Sequence, residues 1–134
     1  MSEVIKNLNR QRTLNAFQWI SSLSAKKLKD YLPTLRGLPV ALRTQGLVVV
    51  CATLLKRGDE RDGERVIADM IARWLRESEL PLWESDSAIP QDGRALLKWV
   101  VNADNSRYRA AQREALAYAE QLKLLAEAWH RGEQ

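Results

Sequence analysis

A single cysteine, Cys51, and a single histidine, His130, are all that this chain has of the side chains most used for metal and redox chemistry. One cysteine excludes a disulfide within the chain, and with one histidine beside it a zinc site of Cys and His ligands cannot be assembled. Cys51 lies in the most apolar run and reads as a small core residue, which fits a reduced, cytoplasmic setting. His130 stands four residues from the end, where chains fray, and no catalytic role is expected of it. A phosphate-cradling loop is missing as well: Gly58 and Gly63 have its glycine spacing, but Glu64 and Arg65 occupy the places of the required Lys and Ser/Thr. The opening residues lack the apolar stretch of a signal peptide, and no apolar run approaches the ~20 residues of a membrane span. The expectation is a soluble protein with no membrane partner, no cofactor, no metal and no enzymatic activity.

Strands are missing too, since no stretch alternates apolar and polar residues between turn signals, and no internal repeat is evident. What is present is helical periodicity. The length suits a single domain, residues 1–134, able to bury an ordinary core. The spacing predicts a first helix from a cap at Ser2 to about Leu23, with Ile5, Leu8, Ala16, Trp19, Ile20 and Leu23 as one stripe. Arg12 falls in the middle of that stripe, where an unpaired guanidinium would cost several kcal/mol, so it requires a partner. Ser24 caps a short basic helix, Ala25 to Leu32, which Pro33 is expected to interrupt.

The core's axis is expected to be a helix that starts near Pro39 and ends at Lys56-Arg57-Gly58. From Leu47 to Leu55 every side chain except Thr53 is apolar, which predicts a segment wrapped on all sides, with Gly46 tolerated because a neighbouring backbone passes close by. A turn at 58–63 leads to a helix ending near Ser78, with Val66, Ile67, Met70, Ile71, Trp74 and Leu75 inward. Residues 79–92 read as a long loop pinned by Trp83, and the other four Trp read as core anchors. A short helix from Arg94 to Ala103 follows, burying Leu96, Leu97, Val100 and Trp99. The last and longest, from Asn105 or Ser106 to about Arg131, turns Tyr108, Ala111, Ala115, Tyr118, Ala119, Leu122, Leu125, Ala126 and Trp129 inward. The fold class is all-α, a compact bundle of five or six helices.

Charge is placed unevenly. Residues 1–57 hold ten Lys and Arg against Glu3 and Asp30, a net +8, while residues 58–134 hold eleven against fifteen acids, a net −4. Cations spread over several helices, with no exposed aromatic set, suit sequence-independent contact with a nucleic acid backbone. Base reading by a helix-turn-helix is excluded because the helix after the turn at Gly46 is too apolar. The acids Asp59, Glu60, Asp62 and Glu64 lack a calcium-loop spacing and read as helix-start electrostatics.

Several stretches carry a family resemblance, between about Arg12 and Ala128. Leu38-Pro39-x-x-Leu42-Arg43-Thr44-Gln45-Gly46-Leu47 is similar to Leu-Pro-x-x-Ile-Arg-Thr-Asn-Gly-Leu in the small α-helical subunit of type III-B CRISPR effector complexes, the Cmr complexes. Tyr108-Arg109, Glu114-Ala115-Leu116, Leu122-Lys123 and Ala126-Glu127-Ala128 follow in order, Arg12 with Ala16 matches the first helix, and Trp74-Leu75 fits the helix before the long loop. Gln45, Thr53, Gln121 and Leu124 depart from the family's residues. The resemblance implies a non-catalytic building block that stacks with neighbouring copies of itself beside other Cmr-complex subunits. It implies contact with guide RNA and single-stranded target RNA in antiviral defence. Lys26, Lys27, Lys29, Arg36, Arg43, Lys56 and Arg57 are then the expected RNA-facing residues, with Arg109 and Arg113 as extensions. Arg12 and Glu114 both match family positions, and Glu114 lies at the edge of the last helix's apolar face, so the two are expected to pair across the core. Two rival classes are an adaptor that binds only protein and a metal-dependent nuclease built on the acidic turn, 59–64.

Overall fold

The computed structural model describes residues 2–58, 62–78 and 92–132, with side chains over 8–58, 63–78 and 92–131. Five helices follow in order, α1 (Ser2–Ser22), α2 (Ala25–Arg57), α3 (Asp62–Glu77), α4 (Gly93–Asn102) and α5 (Asn105–Gly132), with no strand among the described residues. The expected cap at Ser2, the side chain of Ile5, the acids Asp59, Glu60 and Asp62, and the Trp83 loop lie outside the described residues or side chains.

The largest difference from the sequence reading is α2. Neither Pro33 nor Pro39 breaks it, and both sit inside one helix that starts at Ala25 behind the Ser24 cap. A proline costs an interior helix one hydrogen bond, but its fixed φ remains helical. Buried Leu28, Leu32, Leu35, Leu38 and Leu42 recur every three or four residues through both prolines, and only a continuous helix keeps that stripe against the core. The break comes at Gly46, at φ 87° and ψ 165°, a region essentially closed to residues with a Cβ. Joined in this way, α2 is by length and composition apolar enough to cross a membrane, with a mean hydropathy of 1.7 in its richest window. This revises the expectation that no stretch approaches span length. Here its leucines form the core of a helical bundle, packed against α3, α4 and α5.

Nor is the segment after Gly46 wrapped on all sides. Leu47, Val50, Cys51 and Leu54 are buried, whereas Val49 and Ala52 face outward. Burial holds Cys51 as the neutral thiol, pushing it up to about 12. What approaches Gly46 is a side chain and not a backbone: a Cβ there would lie 2.9 Å from the Tyr108 hydroxyl of α5.

The remaining helices are close to their predicted extents. Ile67, Ala68, Ile71, Ala72, Trp74 and Leu75 of α3, Leu96 and Val100 of α4, and Ala111, Ala115, Tyr118, Ala119, Leu122 and Ala126 of α5 fill the core. Trp19 and Trp99 are half-buried against it. Trp129 is not a core anchor: it is exposed on α5 and makes an edge-on contact with Phe17 of α1. Gly93 lets the start of α4 cross α3 closely, since a Cβ would come within 2.8 Å of Ala68 Cβ, and its N–H donates to Asp69 Oδ1 at 2.8 Å.

Candidate nucleic-acid interface

The cations of α2 divide among its flanks. Lys29, Arg36 and Arg43 are spaced seven apart and share the edge facing α5, where Arg36 meets Glu127 at 3.8 Å and Arg43 pairs with Glu120. Both pairs are exposed, so each contributes at most about 1 kcal/mol to stability. Their electrostatic effect is to neutralise two of the cations expected to face RNA. Lys26 is also exposed, on the outer side of the same helix.

Lys27 and Arg57 line neighbouring depressions on the other flank, which share Pro33, Thr34 and Glu64. Glu64 is the acid of the 58–64 region whose side chain is described, and it points inward. Its Oε1 accepts from the Thr34 hydroxyl at 2.7 Å, while Oε2 is buried with no hydrogen-bond partner. A negative group in this wall opposes an anion approaching Arg57.

Lys56 belongs to a third place. It lines a groove of about 860 Å³ between the end of α2, the start of α3 and the exposed side of α4, together with Arg65, Arg94 and Lys98. Among the described residues, no acidic residue lines this groove. Asp92 caps α4 nearby, engaged by the Ala95 N–H at 2.9 Å. Arg65, Arg94 and Lys98 do not stand out in a charge balance taken over halves of the chain, because these three sit in the acidic half. The signal available was local: α4 carries Arg94 and Lys98 one turn apart and no acid at all. Arg109 and Arg113 are exposed on α5, Arg113 one heptad before Glu120.

Between α1 and α5, Arg12 Nε and Nη2 donate to Glu114 Oε2 and Oε1 at 2.6 and 2.8 Å. Trp74 Nε1 also donates to Oε2, at 3.1 Å, so the buried carboxylate is held from α1 and α3 at once. Trp74 stacks on Tyr118 with centroids 5.3 Å apart, and the Tyr118 hydroxyl donates to Asn15 Oδ1 at 2.6 Å. Burial first, and the charge of Glu77 second, raise the Tyr118 pKa. This network fixes α1, α3 and α5 relative to one another. Among the described residues, no three His, Cys, Asp or Glu side chains are grouped so as to hold a metal ion.

A family model described as CRISPR-associated protein (Cas_Cmr5) matches residues 8–129. The chain belongs to this family. It is thereby a CRISPR-associated Cmr subunit, the small subunit of the type III-B complexes, and a member of an effector complex with other Cas subunits. No curated protein and no solved structure is significantly similar to the chain. The matched span runs from the stripe of α1 to the last turns of α5, so it covers every helix of the bundle. In this Cmr subunit, the stretch Leu38–Leu47 that resembles the family's ends at the α2 break, and Tyr108 of the second resembling stretch packs against that break.

Proposed function

We propose that the chain is a non-catalytic small subunit that stacks along the effector and supports guide and target RNA through its cationic helices, in antiviral defence. The observation that carries this reading is the family match over 8–129 on a chain whose exposed Lys26, Lys27 and Lys29 project from the start of α2. Three lysines within one turn of helix give a field suited to phosphates and to no particular base. The exposed apolar side chains Leu14, Phe17, Leu124 and Trp129 on α1 and α5 supply surface for neighbouring protein subunits.

The test is the assembled complex. The tagged subunit is co-expressed with the other Cmr subunits and a guide array, and retained RNA is quantified across a salt series. Reversing Lys26, Lys27 and Lys29 to Glu is expected to weaken RNA association and flatten its salt dependence. Unchanged RNA retention at every salt concentration rejects the proposal and favours a protein-only adaptor.

A further inference from the structure

Among the described residues, no carboxylate forms an ion pair with the cations of the α2/α3/α4 groove. Arg36 and Arg43 are paired with carboxylates of α5, and Arg57 lines a depression that also contains buried Glu64. Lys56, Arg65, Arg94 and Lys98 make no ion pair with any described residue, and the other described residues that line the groove are neutral. We infer that this groove is a binding site for the sugar-phosphate backbone of single-stranded RNA, an inference that rests on the reading above that the chain meets RNA.

Shape and charge act together here. The cations come from three helices around one open groove, which offers several separate anchors to a run of phosphates. Two of the four are arginines, whose planar forks take phosphate oxygens two at a time. Arg94 and Lys98 are one turn apart on α4, so their head groups share a face of that helix. The floor is apolar, from Leu55, Leu97 and the exposed Val101, and offers van der Waals contact to riboses without an aromatic ring to select a base. Gly93 sets the start of α4 close across α3, beside the groove.

The experiment measures fluorescence anisotropy of a labelled oligouridylate, about one OB-fold site or longer, against the full chain over a salt series. R94A/K98A is expected to raise Kd on the order of tenfold and to reduce the salt slope by about 1.4, the value for two single-strand phosphate contacts. K56A/R65A, which alters the other two walls, is expected to do the same. R94K/K98R keeps both charges and is expected to retain the wild-type slope. R36A/R43A, whose cations are already paired, is expected to change Kd by less than about twofold. Wild-type affinity in both R94A/K98A and K56A/R65A overturns the groove while leaving RNA binding in place. A loss in R94K/K98R equal to that of the alanine pair also overturns it, because charge would then not be the cause. If the wild-type chain shows no salt-dependent binding of the oligouridylate, the RNA reading itself fails and the groove with it.

Discussion

The side-chain amide of Gln112 is inserted at the break in α2, accepting from the Leu47 N–H at 2.7 Å and donating to the Leu42 carbonyl at 2.6 Å. Gly46 turns the Leu47 N–H away from the helical carbonyl four residues back, and one amide of α5 satisfies it. Gln112→Ala leaves the N–H without that partner in a part-buried place. The expected loss is about 1–3 kcal/mol in urea unfolding. A loss below a few tenths would show that water replaces the amide without cost.

Gly46→Ala meets two obstacles. The backbone there is at φ 87°, and the new methyl would lie 2.9 Å from the Tyr108 hydroxyl. The expected destabilisation is about 1–3 kcal/mol from the backbone alone. Removing the hydroxyl in G46A/Y108F should restore only part of it, because the strain of the backbone remains. Full restoration would assign the whole effect to the steric contact.

Arg12 and Glu114 join α1 to α5 through a bidentate pair whose carboxylate is buried. Removing one partner leaves the other charge without compensation, so Arg12→Ala is expected to cost on the order of 3 kcal/mol. An apolar double replacement, R12M/E114L, should recover most of that loss, since neither charge then has to be desolvated. A double-mutant cycle with no coupling between the two positions would contradict this account.

Alkaline pH should destabilise the fold through Cys51 and Tyr118. Both folded-state values are raised, by burial first in each case, from ordinary values of 9.0 and 10.0. The native state therefore keeps protons that the unfolded chain releases. Stability is full below pH 9.0 and falls as pH rises beyond it, by up to about 1.4 kcal/mol per pH unit for each group. Urea unfolding between about pH 8 and about pH 11 checks the sign. Cys51→Ala should flatten the fall above pH 9.0, and Tyr118→Phe the fall above pH 10.0. An equal fall in both variants would place its origin elsewhere.

Much of the bundle was legible in the chain because burial imposes periodicity. The stripes of α1, α3 and α5, their ends, and the anomalous Arg12 could all be read from spacing, and five helices appear where five or six were expected. Misreadings arose where a local rule met a tertiary demand. Pro33 reads as a breaker, yet the leucine stripe on either side must stay in register with one core, and the helix continues. Trp129 falls on the inward side of the wheel, but near its C-terminal end α5 leaves it exposed against Phe17. The candidate interface was only partly legible. Lys26, Lys27 and Lys29 are exposed as their spacing requires, whereas the pairing of Arg36 and Arg43 with α5 depends on which helix lies alongside.

By itself, then, the sequence determined a helical chain with one buried-charge problem, one cysteine and one histidine, and an excess of cations in its first half. These are properties of residue type and spacing, which no arrangement of helices can alter. Only the tertiary structure decided which cations remain available. Compensation is a matter of distance, and packing brought Glu120 and Glu127 to two of the arginines while gathering Lys56, Arg65, Arg94 and Lys98 in a groove with no acid among its described lining residues.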